Sequence, residues 1–288
     1  MIFQSPFLSV FETVDEAIAA RTRQRDGRWI GGGTMVIADQ NLGLLRPTGY
    51  LDVGRIEALR RIEVIPGGLR IGAAVVIADL LTAPVEAAAP LLHRAARTFG
   101  TRQVRNRATV GGNVANALPD RTLPPCLLAL DAVVHLRSAR GGCPVPLREF
   151  LVGPGRTSIA ADELIESITV PRIEGFQDYT MVGPRNAQFY PTASVALVVD
   201  ARGRSVRLGL GNAGPTALRA VEAEAFANGA VDWSGRRVSD VVAREFGRLA
   251  AAHCDPPDDV TSGPEYRRHA VGVMARRLLE RAFEGESL

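Results

Sequence analysis

The sequence predicts an α+β protein of two domains, and three observations carry that reading. Two glycine-rich loops about eighty residues apart each follow a short β-like or basic segment. Between and after them, short β-like stretches alternate with helical ones. Beyond Glu174 a hairpin signal gives way to a run of helical periods. At 288 residues, 46% hydrophobic and 23% charged, the chain is long enough for one large or two ordinary domains with a substantial core.

Taken in order, residues 14–23 read as an amphipathic helix. Trp29 and Ile30 form a short strand running into the first glycine loop, and residues 50–53 form a second strand. Together they make a small α/β unit over about residues 1–55. From about Leu69 the pattern changes: residues 69–76 alternate as a strand and residues 87–98 are helical. Residues 132–136 are a strand, Gly141 and Gly142 turn the chain back, and residues 164–170 are a strand that Pro171 ends. These bound a second subdomain at about 56–173, leaving 174–288 as a separate domain. There, residues 194–199 and 205–210 flank Asp200-Ala201-Arg202-Gly203-Arg204, a hairpin signal with Gly203 supplying positive φ. Residues 217–228 and 238–253 are helical by period. A last helix starts from a capping box, Ser262 with Glu265, and lays Tyr266, Ala270, Val273, Met274 and Leu278 on one core-facing side. There is no internal repeat and no low-complexity segment.

The chemistry concentrates in the glycine loops, Gly31-Gly32-Gly33-Thr34 and Thr109-Val110-Gly111-Gly112-Asn113. Consecutive glycines let the backbone turn without a Cβ penalty, so several N–H groups can converge on one anion, and Thr34, Thr109 and Asn113 add polar side chains. Each loop alone is weak evidence, since glycine-rich turns are most often just turns. The pair reads as a cradle for a dinucleotide pyrophosphate. A Walker loop is excluded because all 34 basic residues are arginine, and the Rossmann fingerprint fails because Val36 stands at its third glycine position. The nucleotide is then held in a non-Rossmann way.

Other classes fall away on composition. A net charge of +3, with arginines interleaved among 31 acidic residues, is no nucleic-acid footprint. Arg102, Arg105 and Arg107 form a local basic cluster before the second loop, suited to a phosphate, to a partner's acidic patch or to plain solvation. The N-terminus lacks a secretory pattern and the apolar run at 193–199 stops at Asp200, so no membrane span and a cytoplasmic location are expected. Cys126, Cys143 and Cys254 are odd in number and far apart, as expected of reduced, mostly buried thiols. With His93, His135, His253 and His269 they make no metal-ligand spacing, so no metal site is expected. A Gly-x-Ser-x-Gly elbow is also missing.

At this point the residues resemble a known family: the flavin-binding medium subunit of molybdenum hydroxylases, the group of xanthine dehydrogenase and aerobic carbon monoxide dehydrogenase. Trp29-Ile30-Gly31-Gly32-Gly33-Thr34 is similar to its first pyrophosphate loop, and the run from Arg105 through Thr109-Val110-Gly111-Gly112-Asn113 to Ala117 is similar to its most distinctive stretch. Leu69-Arg70-Ile71-Gly72-Ala73, Ala78-Asp79-Leu80, Gly263-Pro264-Glu265-Tyr266-Arg267-Arg268 and Met274-Ala275-Arg276-Arg277 match in order.

The resemblance implies a para-cresol methylhydroxylase-type FAD-binding domain of two α/β subdomains over 1–173. A domain with a small antiparallel sheet and helices would follow over 174–288. It implies non-covalent FAD that receives electrons from a small 2Fe–2S subunit, itself fed by a large molybdopterin subunit, and that passes them to an external acceptor. The assembly implied is a dimer of heterotrimers. Cofactor contacts are implied at Gly31, Gly32, Gly33, Thr34, Met35, Thr109, Val110, Gly111, Gly112, Asn113, Thr122, Ile165, Arg185 and Tyr190, with Tyr190 stacking on the flavin ring. The chain departs from the family where Leu118 replaces a serine and Thr122 an aspartate, with Asp120 displaced, and where a lysine before the tyrosine is missing. Two other classes stay open: a non-redox assembly subunit that keeps the fold without the cofactor, and a free-standing FAD reductase, against which the C-terminal match speaks.

Overall fold

The computed structural model describes residues 6–184 and 190–284. The first subdomain runs β1 (Phe7–Val10), α1 (Val14–Arg23), β2 (Gly27–Ile30), α2 (Val36–Asn41) and β3 (Gly49–Asp52), with the parallel strands ordered β1-β3-β2. Helix α1 starts at a capping box: the Thr13 hydroxyl accepts from the Glu16 N–H at 3.2 Å and the Glu16 carboxylate accepts from the Thr13 N–H at 3.3 Å. Parallel strands need crossovers, and α1 and α2 supply them.

The second subdomain contains β4 (Ile62–Ile65), β5 (Gly68–Gly72), α3 (Ala83–Ala88), α4 (Pro90–Thr98), α5 (Arg102–Arg105), α6 (Val110–Asn116), α7 (Leu123–Ala129), β6 (Val133–Ser138), β7 (Gly141–Pro146), α8 (Leu147–Phe150), β8 (Leu151–Gly153), β9 (Arg156–Thr157) and β10 (Leu164–Pro171). Its five-stranded antiparallel sheet is ordered β4-β5-β10-β6-β7, and its helices bury the largest core. The third unit is a four-stranded antiparallel sheet in sequential order, β11 (Gly175–Val182), β12 (Ala193–Asp200), β13 (Ser205–Gly211) and β14 (Leu218–Arg219). Helices α9 (Val221–Ala230), α10 (Asp240–Ala252) and α11 (Pro264–Phe283) follow it.

Several expectations are corrected. The helix expected over 87–98 is two helices, because Pro90 forces Ala89 out of helical backbone (φ −145°, ψ 66°). The strand expected over 69–76 leaves the sheet after Gly72, and residues 73–76 run instead along the second glycine loop. The helix expected from 217 starts at Val221, since Leu218 and Arg219 pair with β13. In the hairpin after β12 the positive φ belongs to Arg204 (49°), while the Gly203 N–H is fixed by Asp200 Oδ1 at 2.8 Å.

The capping box at Ser262 is absent. Gly263 is the N-cap without a side-chain bond, Pro264 opens the helix, and Ser262 belongs to a turn in which its N–H reaches the Asp259 carbonyl at 3.2 Å. Tyr266 is 53% exposed and Val273 only half-buried, so the core stripe of α11 is Arg267, Ala270, Val271, Met274, Ala275, Leu278 and Leu279.

Helix α7 joins the two domains. All seven of its residues are buried, and it lies on β12 and β13 through glycines: a Cβ at Gly209 would sit 1.9 Å from the Pro125 carbonyl oxygen. Charges clasp the same boundary. Asp131, just after α7, accepts from Arg207 at 2.8 Å and from Arg219, and Asp178 on β11 holds Arg94 of α4 at 2.9 Å and Arg281 of α11.

Candidate functional site

A cleft of about 360 Å³ is lined by residues 28–36, by Phe99, Gly100, Thr101 and Val104, by α6 with the loop before it, by Asp120, Arg121 and Thr122, and by Tyr190. The two glycine loops meet there. A Cβ at Gly31 would stand 3.0 Å from Thr109 Oγ1, and one at Gly32 would lie 1.7 Å from the Arg107 carbonyl oxygen. Gly32 is therefore required by loop-on-loop packing before any ligand is considered. Gly33 adopts φ +73°, the left-handed turn that sends the chain into α2.

The loops differ in what they offer. After β2 the Val53 N–H bonds the Ile30 carbonyl at 3.0 Å, and the chain leaves the sheet. The N–H groups of Gly31, Gly32, Gly33, Thr34 and Met35 then have no partner among the described residues, and these residues are half-buried at the cleft wall. Successive unpaired N–H groups make an anion-binding concavity.

In the second loop four of the five N–H groups are engaged, the Thr109 N–H having no partner among the described residues. Val110 donates to the Val75 carbonyl and Gly111 to the Ala73 carbonyl, each at 2.9 Å. Asn113 donates to the Thr109 carbonyl at 2.9 Å and Gly112 to Thr109 Oγ1 at 3.1 Å. The expected convergence of N–H groups from both loops is thus corrected: the run of them belongs to the first loop, because residues 73–76 and the Thr109 cap satisfy all of the second but the Thr109 N–H. What the second loop contributes is side chains. Asn113 Oδ1 accepts from the Leu123 N–H at 3.2 Å, which leaves its amide NH₂ as the donor for the cleft.

Three buried polar atoms of cleft residues lack hydrogen-bond partners among the described residues: Asn116 Oδ1, Asp120 Oδ1 and Arg121 Nε. The last two face each other at 3.1 Å as an ion pair whose angles make no hydrogen bond. Trp29, Ile30, Val36, Phe99 and Val104 supply apolar wall. Backbone donors for an anion, orphaned polar atoms and an apolar floor fit a dinucleotide with a flat ring system.

Of the residues proposed from sequence, Gly31, Gly32, Gly33, Thr34, Met35, Thr109, Gly112, Asn113, Thr122 and Tyr190 line this cleft. Val110 and Gly111 are buried behind its wall, and Ile165 is a buried residue of β10 that does not line it. Arg185 lies outside the described residues. Tyr190 is 51% exposed, donates its hydroxyl to Met35 Sδ at 3.2 Å and carries the Arg121 guanidinium 4.4 Å from its ring centroid. Sequence reasoning passed over Arg121 and Asn116. The available signal was that Asn116 lies in the family-like run and Arg121 directly after it, between the departures at Leu118 and Thr122.

Burial pushes the Cys126 thiol well above its ordinary range and the Cys254 thiol up to about 12, so both are inert, whereas Cys143 is exposed. Among the described residues no group of three or more His, Cys, Asp or Glu could hold a metal ion, and no helix is long and apolar enough to cross a membrane.

Comparison with known proteins places these features. Residues 6–173 match the family of the FAD binding domain in molybdopterin dehydrogenase, and residues 179–282 match the CO dehydrogenase flavoprotein C-terminal domain. The glyceraldehyde dehydrogenase medium chain of Sulfolobus acidocaldarius is 31% identical over 273 residues, covering 93% of this chain and 95% of that one. The carbon monoxide dehydrogenase medium chain of Hydrogenophaga pseudoflava is 29% identical, covering 94% and 95%. A solved structure of carbon monoxide dehydrogenase from Hydrogenophaga pseudoflava superposes with a TM-score of 0.91 at 29% identity, over 98% of this chain and 99% of that one. With both family models matched across nearly the whole chain and the fold shared, this chain belongs to the family of FAD-binding medium subunits of molybdenum hydroxylases and is an oxidoreductase subunit whose cofactor is FAD.

Proposed function

We propose that this chain is the electron-transferring flavin subunit of its complex, working between a small 2Fe–2S subunit with a large molybdopterin subunit on one side and an external acceptor on the other. The observation that carries the reading is the asymmetry of the loops: five successive unpaired N–H groups on one side of the cleft and a pinned Asn113 amide on the other. When bound, FAD supplies a redox couple able to take up and hand on electrons.

The chain's own residues bind and orient it. The N–H groups from Gly31 to Met35 and the Asn113 NH₂ hold the pyrophosphate, helped by the Thr34 side chain. Asn116, Asp120 and Thr122 serve the polar groups of the nucleotide, and Tyr190 covers the ring and keeps water from that face. Arg185 and Ile165 remain proposed contacts from the family pattern. Cluster ligands have to come from the partners, since the described residues group none. Medium chains are named among the relatives, which supports small and large partner subunits; their arrangement as a dimer of heterotrimers is proposed from the family resemblance alone.

The test is reconstitution. The isolated chain is expected to take up FAD that denaturation releases, and to leave it oxidised in the presence of organic substrates. Co-expressed with cluster- and molybdopterin-bearing partners, it should co-elute with them and its flavin should become reducible by the substrate of the complex. Flavin reduction by an organic substrate in the isolated chain would overturn the reading. A partner complex without flavin absorption would favour the cofactor-free assembly subunit, for which the changes at Leu118 and Thr122 speak.

A further inference from the structure

Arg121 stands in the turn between α6 and α7, where its N–H donates to the Leu118 carbonyl at 3.2 Å. Its side chain is only 6% exposed, yet among the described residues it faces a single carboxylate, Asp120, at 3.1 Å, and its Nε makes no hydrogen bond. Its charge also lies over the face of Tyr190, 4.4 Å from guanidinium carbon to ring centroid. A guanidinium shielded from water is attracted to an aromatic face more strongly than an exposed one, because the ring does not compete with hydration.

Tyr190 needs such a hold. It is 51% exposed, lies outside any strand, and among the described residues its hydroxyl reaches only the Met35 sulfur, a weak acceptor. Left to that contact, a half-exposed tyrosine would sample several rotamers.

We propose that Arg121 is a positioning residue that fixes the Tyr190 ring at the cleft by stacking on one of its faces, an inference that rests on the flavin reading of that cleft. One face of the tyrosine is thereby occupied, and only the opposite face is presented to a flat ligand ring. Asp120 orients the guanidinium and balances its charge. Because Arg121 acts through Tyr190, its effect on the cofactor disappears when the tyrosine is gone.

The experiment uses the full chain as wild type, R121M, R121K, Y190L and R121M/Y190L. In the cofactor-free protein, the NMR signal of the Arg121 Nε–H is expected to be shifted upfield by the tyrosine ring current and to return to its ordinary position in Y190L. With FAD as the probe, fluorescence of the bound flavin should rise several-fold in R121M, approaching Y190L, because an unsteadied tyrosine quenches less. R121K keeps a cation over the ring and should stay near wild type. In the Y190L background R121M should change flavin fluorescence and affinity by less than twofold. An unmoved Nε–H signal in Y190L overturns the proposal. So does an R121M effect of equal size with or without Tyr190, which would place Arg121 on the cofactor itself or in the fold. If wild type takes up no FAD, the flavin reading fails separately and the NMR comparison alone decides the Arg121–Tyr190 pair.

Discussion

Asn113 uses the two ends of one amide for different purposes: the oxygen accepts from the Leu123 N–H at 3.2 Å at the start of α7, and the nitrogen is left for the cleft. The two roles can be separated chemically. Asn113→Asp keeps an acceptor for Leu123 but replaces the donor by a negative charge beside the proposed pyrophosphate site. It should melt near wild type while losing FAD affinity by about tenfold or more, roughly 1.4 kcal/mol. Asn113→Ala also orphans the buried Leu123 N–H and should cost about 1–3 kcal/mol of stability in addition. Thermal melts paired with flavin titrations check both, and full FAD retention in Asn113→Asp would leave Asn113 a cap only. By contrast Gly32→Val is a poor probe of the phosphate site, since its Cβ would strike the Arg107 carbonyl at 1.7 Å whether or not a ligand is present.

At the scale of elements, the entry to α11 depends on a buried charge. Arg267 is fully buried, and its Nη2 donates to Asp259 Oδ1 at 2.6 Å and to Thr261 Oγ1 at 2.8 Å, while Nε and Nη1 make no hydrogen bond. Removing the partner is therefore worse than removing the arginine. Asp259→Ala leaves a buried guanidinium unpaired and should cost about 3 kcal/mol, whereas Arg267→Met, leaving a partly exposed carboxylate that can hydrate, should cost less. Equal losses in urea unfolding would contradict this.

Burial tends to raise the Asp259 carboxyl, but hydrogen bonds from Thr261 and Arg267 outweigh it and hold the group at about 2, below the ordinary carboxylate range. A depressed folded-state value stabilises fully above about pH 4, and the contribution disappears as pH falls toward 2. The melting-temperature gap between wild type and Asp259→Ala should accordingly close over that window, and a gap independent of pH would refute the assignment.

This stretch also shows where sequence legibility stops. Helices and strands with a clear period were legible, as in α1, β12, β13 and α10. The Ser262–Glu265 spacing imitated a cap because nothing local reveals that Ser262 is already bound into the Asp259 turn. Likewise the glycine loops were legible as loops. Which of them keeps free N–H groups depended on the contact of residues 73–76 with 108–111, a tertiary fact.

Over the whole molecule, Asp178 joins three elements: it is nearly buried and pairs with Arg94 of α4 and Arg281 of α11, and it also accepts from the Tyr179 N–H at 2.8 Å. Asp178→Ala should loosen the contact between the FAD-binding domain and the C-terminal helices, lowering stability by about 1–3 kcal/mol. Calorimetry is the check: wild type should unfold in one transition, and the variant in one that is broader or shifted down. Two separate transitions in wild type would show that the domains do not depend on each other.

Helix α7 gives that dependence a further meaning. Its N-cap is Thr122 on the cleft wall and Asp131 of the domain clasp follows its last turn, with all seven of its own residues buried between the core of the second subdomain and strands β12 and β13. A single rigid strut of this kind makes cofactor retention a gauge of domain docking. By linkage, whatever steadies the C-terminal domain on the strut tightens FAD, and FAD in turn steadies the domain by the same factor. A chain severed near residue 174 would expose the apolar side of the strut and release the flavin without any change in the residues that touch it.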